Sequence, residues 1–252
     1  MNVVIVLLAL LGSVWLLAVV EGWTTTGRLS LSAPLLSGLA HLGRESIVPR
    51  TPDRLFFEAA PILFLIVAVL GVTVLPLAPT LVIADLATGA LFINAALAYV
   101  LVALIMAGWG PNGAYAMIGG WRFLGQLIAY AMLIVMPITA VAMRAESLVT
   151  TVIVASQESL WNIVYQPLGF VLFFIAAMAL AFRAPFDLPI AEGELGGGVD
   201  AEYTGVRRAV LRLARLTLVV TLAAATVVFY LGGWHGPLLP PWAWSLIKTL
   251  AV

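Results

Sequence analysis

Cysteine is missing from the 252-residue chain. Its absence excludes disulfides, thiolate metal sites and iron–sulfur clusters ligated from this chain. Histidine is almost missing too. Only His41 and His235 offer imidazole, enough on paper for a two-histidine haem and for little else. Charge is scarce: 10% of the residues, split evenly between 12 basic and 12 acidic side chains. Nucleic-acid binding takes a basic excess that this chain does not have. The first apolar run, MNVVIVLLALLGSVWLLAVVEGW, lacks a basic stretch before it and a small-residue cleavage site after it. It therefore reads as a retained first helix, not a removed signal peptide. A long-period internal repeat is also lacking, which leaves the inverted-repeat plan of many secondary transporters without support.

What fills the chain is hydrophobic residue, 63% of the total, with a mean hydropathy of +1.12. Soluble domains carry about a quarter charged residues, so the fold class is all-α: a polytopic transmembrane helix bundle, one domain over residues 1–252. Spans of roughly 20 apolar residues fall at about 3–20, 55–76, 86–107, 115–142, 164–182 and 210–231. A seventh apolar stretch, WAWSLIKTLAV, is too short to cross about 30 Å of hydrocarbon and reads as a re-entrant end, an interfacial end or a truncation. Between the first two spans, Leu35, Leu36, Leu39 and Leu42 recur at helical spacing before Arg44 and Glu45. This pattern predicts a short amphipathic helix lying at the interface, inside an amphipathic loop over 21–54.

Basic residues orient the bundle. The first connection carries Arg28, Arg44, Arg50 and Arg54. The fifth, over 183–209, carries Arg183, Arg207 and Arg208, with Arg212 and Arg215 just beyond. The second and sixth carry none, and the fourth only Arg144. The odd-numbered connections are therefore expected in the cytoplasm and the N-terminus outside.

Five of the twelve carboxylates crowd into residues 183–205, RAPFDLPIAEGELGGGVDAEYTG. Asp187, Glu192, Glu194, Asp200 and Glu202 stand there among prolines and glycines that forbid one continuous helix. Either the loop is solvated, or it dips into a protein cavity, as the apolar PFDLP around one acid suggests. Carboxylates in such a cavity would exchange protons near neutral pH. In GWGPNGAYAMIGGWRFLGQLIAY, Arg122, Gln126 and Tyr130 are spaced by four on one helical face. They face a polar interior or a partner, or Arg122 snorkels while Gln126 joins two helices. Arg44, Glu45, Asp53 and Arg54 either serve a site or pair with one another and with headgroups. Trp234, Trp242 and Trp244 fit an aromatic belt.

These stretches, with GRESIVPRTPDR before them and FYLGGWHGPLLP after, resemble the H-type membrane subunit of bacterial respiratory complex I. The same family includes a related subunit of membrane-bound [NiFe]-hydrogenases. The resemblance runs from about Glu21 onward, and PFDLP-x-AE-x-EL followed by EYTG is its most specific part. It implies a multi-pass subunit in the cell inner (plasma) membrane that helps form a quinone chamber, ubiquinone or menaquinone being the substrate, and couples its reduction to proton transfer. It implies a proton-coupling group of Arg183, Asp187, Glu192, Glu194 and Glu202. A chamber set follows from it as well: Arg28, Arg44, Asp53, Arg54, Arg122, Gln126 and Tyr203. No metal or cofactor is expected on this chain, and nothing catalytic in isolation. FMN and iron–sulfur clusters belong to partner subunits of the membrane and peripheral arms, and lipid surrounds the rest. Against the family pattern, Ala131 and Ile190 stand where an acid is usual, and TTTGRLS keeps only Arg28 of a basic stretch. The alternatives are a hydrogenase anchor with no quinone site and, less well supported, a stand-alone transporter. For the transporter, Asp85 and Asn94 would be the polar positions of the third span.

Overall fold

The computed structural model describes residues 2–237 and 239–252; Met1, and Leu238 in the sixth connection, lie outside the described residues. Every regular element of the described residues is helical, and their one β-type contact is an isolated bridge between Ala78 and Leu81. Five helices are long and apolar enough to cross a membrane: α1 (Asn2–Thr26), α3 (Arg54–Thr73), α4 (Gly89–Trp109), α5 (Ala114–Ala145) and α10 (Gly205–Tyr230). The remaining helices are short: α2 (Ala33–Leu42), α6 (Thr150–Ala155), α7 (Asn162–Tyr165), α8 (Pro167–Leu180), α9 (Glu192–Leu195) and α11 (Pro241–Ala251).

The expected fifth span, 164–182, is the one that differs. Gln166 leaves helical geometry and Pro167 opens a new helix at its first position, where a missing N–H costs nothing. The result is α7 followed by α8, whose 14 residues rise only about 21 Å. Five long spans are therefore observed where six were expected, and the 11 residues of α11 make a short C-terminal helix. In contrast, α5 at 32 residues rises about 48 Å, well beyond the about 30 Å of a hydrocarbon core.

Lipid tails are as apolar as leucine, so close packing and interhelical hydrogen bonds, not water exclusion, must hold such helices together. The sequence supplies both. A Cβ on Gly71 of α3 would lie 2.6 Å from the Thr221 side chain of α10, and Thr221 Oγ1 donates to Ala68 O at 2.9 Å. Gly108 of α4 sits against α5 so closely that a Cβ there would meet Ala116 O at 2.7 Å. Phe57, Phe64, Phe123, Phe173 and Phe229 fill the interior. On α1, Val6, Leu10, Val14 and Ala18 form a stripe packed with Leu216 and Val220 of α10, while Val4, Leu8 and Leu11 face outward. That outward face is suited to hydrocarbon and unsuited to water. At the end of the bundle where α10 finishes, the Lys248 ammonium of α11 donates to the carbonyls of Leu231, Gly233 and His235. The same ammonium lies 4.2 Å from the Trp161 ring centre, which fastens the C-terminal helix to the sixth connection.

Candidate functional site

At the opposite end of the bundle, the first, third and fifth connections close on one another. Asp53 N donates to Gly110 O at 2.8 Å. Ile47 N donates to Thr204 Oγ1 at 2.8 Å. Gly205, at φ +57°, lets the chain pass where a Cβ would come within 2.9 Å of Arg44 O; this backbone geometry and this clearance both exclude larger residues. Glu202 lies beside Gly113, its Oε1 3.1 Å from where a Cβ would stand.

The acidic stretch is not a free loop. Pro189 O accepts from Val199 N at 3.3 Å, and the same carbonyl presses on Gly119 of α5, leaving only 2.5 Å for a Cβ. Leu195 and Val199 are buried. Gln126, with 5% of its surface exposed, donates from one amide nitrogen to Ala179 O at 2.6 Å and Phe186 O at 2.9 Å. It thus ties the end of α8 to the loop that follows. The loop dips into the bundle with its backbone and apolar side chains, while its acids stay at the rim.

The expected site residues separate accordingly. Arg122 pairs with Glu194 at 2.7 Å, with the side chains 34% and 68% exposed. Arg183 pairs with Glu21, at the end of α1, at 2.5 Å. Glu192 faces a cavity of about 370 Å³ with Arg44 and Arg183. Asp187 and Glu202 are exposed and have no ion pair among the described residues. Asp53 caps α3, accepting from Phe56 N. Arg28 and Arg54 are exposed and lie outside that cavity's lining. Tyr203 is fully buried, stacked on Phe57 with centroids 4.7 Å apart. Its hydroxyl donates to Ala107 O at 3.3 Å. Burial, and secondarily the Asp200 carboxylate, push its phenol pKa well up, so it stays neutral and acts as a packed donor.

Several charged residues of the rim do not stand out as site residues in the sequence. Arg207 grips Glu58 of α3 in a two-pronged pair, with Nε to Oε2 at 2.9 Å, and donates to Ser46 Oγ at 2.8 Å. Its guanidinium lies 5.0 Å from the centre of the Phe57 ring. Arg215 pairs with Asp200. Arg208, Arg212 and Arg215 all line the cavity. Their spacing of four and three along one helical face is the signal the sequence offers. His41 of α2 also lines it, and its pKa is lowered from 6.5, first by burial and then by Arg44, Arg212 and Arg208. Among the described residues no three histidine, aspartate or glutamate side chains gather as a metal site.

Fold and site together define a class: a membrane-type helical bundle with a charged rim at one end, where three connections interlock. The family is plain from comparison with known proteins. A family model described as NADH dehydrogenase matches residues 4–252, and the chain belongs to that family. It is 38% identical over 240 residues to the NADH-quinone oxidoreductase H-subunit 1 of Geobacter metallireducens, covering 92% of this chain and 73% of that protein. It is 37% identical over 230 residues to the NADH-quinone oxidoreductase H-subunit 2 of Rhizobium meliloti, covering 87% and 70%. The corresponding H-subunit 1 of Geobacter sulfurreducens is 37% identical over 246 residues, covering 89% and 71%.

Proposed function

We propose that this chain is a membrane-arm subunit of a proton-translocating NADH-quinone oxidoreductase, doing no redox chemistry alone. Its interlocked rim helps form the quinone chamber and passes the charge change of quinone reduction to proton-carrying subunits. The observation that carries this reading is the closure of connections one, three and five around the acid-bearing loop, in a chain whose relatives are named as H-subunits of NADH-quinone oxidoreductase. Those names disfavour the hydrogenase anchor.

The chemistry follows from the placement of charge. Glu192, Glu194 and Glu202 stand at the rim, each on a loop clamped by its backbone. Asp187, exposed at the centre of PFDLP, and Arg183, bound to Glu21, complete the proton-coupling group. Arg44 and Arg122 face the chamber, while Gln126, Asp53 and Tyr203 hold its walls; Arg28 and Arg54 lie on its outer approach. A charge gained or lost at the quinone changes the protonation of nearby carboxylates, because charges at the edge of a low-dielectric bundle interact over several ångströms. Quinone is the substrate. FMN and iron–sulfur clusters sit in partner subunits of the two arms.

In the bilayer the domain is single and continuous over 1–252. The fragments α7 and α8 act together as a sixth crossing, and α11 as a partial seventh. The N-terminus faces outward, and the odd-numbered connections, including 21–54 and 183–209, face the cytoplasm of a cell whose inner membrane the chain spans. The basic residues of connections one and five support this orientation. The test is Glu194→Gln and Glu202→Gln in the assembled complex, with quinone reduction and proton transfer measured separately. Loss of coupling with the complex intact supports the reading; unchanged reduction and pumping refute it.

A further inference from the structure

At the end of the bundle opposite the rim, one buried charge has no counter-ion. Lys248 of α11 is 8% exposed, and no carboxylate pairs with it among the described residues. An ammonium buried in an apolar bundle is costly unless other groups replace its water. Three backbone carbonyls do so. Nζ donates to Leu231 O at 2.7 Å, Gly233 O at 3.1 Å and His235 O at 2.7 Å. The ring centres of Trp161 and Trp244 lie 4.2 and 5.9 Å from it, and aromatic faces attract cations.

The cage is shaped without the lysine. Its carbonyls belong to alternate residues of the turn that follows α10, at a helix end that carries partial negative charge. Gly232 and Gly233 make that turn at φ +71° and +48°. A Cβ would lie 2.7 Å from Trp161 at the first and 2.6 Å from Val154 at the second, so both the backbone and the packing demand glycine. Gly232 N, in the same peptide unit as the Leu231 carbonyl, donates to Gln157 Oε1 at 3.0 Å. Gly233 N donates to Val227 O, and His235 N to Gly232 O, both at 2.9 Å. These bonds fix the turn, and none of them involves Lys248.

Converging backbone carbonyls are the means by which proteins replace the water shell of a potassium ion, and potassium and ammonium ions are nearly equal in size. We infer that the turn after α10 is a binding site for a monovalent cation of that size, which the chain fills with its own Lys248 ammonium, so that α11 is fastened to the bundle as part of the ligand. A neutral side chain would leave the carbonyls unpaired, and a divalent ion would find no carboxylate there to balance it. The site lies at the opposite end of the bundle from the chamber and does not rest on that reading.

The test uses the full chain purified in detergent, with amide hydrogen exchange read along α11. Lys248→Ala removes the ammonium and the three carbons before it, which leaves a slot the size of n-propylammonium. In choline chloride, whose cation is too large for the cage, α11 should exchange roughly tenfold or more faster than in the wild-type chain, the loss of at least one hydrogen bond to a charged group. n-Propylammonium chloride at equal ionic strength should restore protection and saturate. Neutral n-propanol should not. Lys248→Met keeps the stem and lacks only the ammonium; potassium or ammonium chloride should protect it where choline chloride does not, and it decides the matter if the alanine chain proves misfolded. Unchanged exchange in Lys248→Ala overturns the inference. So does restoration by n-propanol as complete as that by n-propylammonium, and so do potassium, ammonium and n-propylammonium that protect no better than choline.

Discussion

The Gln126 tether can be cut with little change in volume. Gln126→Leu keeps the bulk and removes the donor. In the native protein its amide nitrogen meets Ala179 O at 2.6 Å and Phe186 O at 2.9 Å. Ala179 O also accepts from Phe182 N at 3.3 Å, so it keeps one partner, and its loss is about 0.5–1.5 kcal/mol. Phe186 O has no other donor among the described residues, and stranding it costs about 1–3 kcal/mol. The loop should therefore open more easily by about 1.5–4.5 kcal/mol, or about 10- to 2,000-fold in its equilibrium. Amide hydrogen exchange reads this locally, at Leu195 N and Val199 N, which are bonded to Ala191 O and Pro189 O. Exchange there should accelerate by that factor, while amides in the middle of α4 should be unaffected. A change below threefold at Leu195 and Val199 would mean that the apolar anchors hold the loop unaided and that the tether reasoning is wrong.

Other outcomes follow from the same rim. Gly198→Ala should prevent stable docking of the acidic loop, since Gly198 has φ +50° and a Cβ would lie 2.0 Å from Pro189 O. The mature complex should then be depleted in membranes, as read on a native gel, and Gly193→Ala, in open space, should leave it at wild-type abundance. His41 should titrate below 6.5, which NMR of a His235→Gln chain can follow with no other imidazole present. It is depressed by burial and by Arg44, Arg212 and Arg208, in a cavity where Arg183, Arg215, Glu21, Glu192 and Asp200 also face it. The unfolded chain binds the extra proton first, so the stability this histidine contributes is intact above pH 6.5 and is lost as pH falls below it. Arg212→Gln should move the titration back toward 6.5; an unchanged midpoint would show that the Arg212 charge has no part in it.

The helical class and the position of most spans are legible because long apolar runs admit few other structures. The amphipathic helix is equally legible from Leu35, Leu36, Leu39 and Leu42, all of which face outward. The fifth span reads as one helix because the apolar residues from 168 onward outweigh Gln166 near its start. Pro167, a helix opener in the structure, is the residue that marks the break. The acidic loop is recognisable by its crowded carboxylates but its construction is not. Pro189 O resting on Gly119 is a contact between segments 70 residues apart, and no local pattern encodes it. Gln126 stands out for its polarity inside an apolar helix, yet its partners are backbone carbonyls, which every residue possesses and no sequence distinguishes. The arginine row at 208, 212 and 215 orients the chain, though its spacing also places three cations on one face.

The grip of Arg207 divides the rim into two kinds of charge. Its guanidinium is committed at once to Glu58, Ser46 and the Phe57 ring, so it cannot swing without releasing three side chains together. Those contacts hold its charge in one place. Asp187 and Glu202, exposed and free of ion pairs among the described residues, are held by no such contact. Arg207 of α10 thus rivets Ser46 of the first connection to Glu58 and Phe57 of α3, and moving the anchor at Ser46 would shift three segments of the chain together.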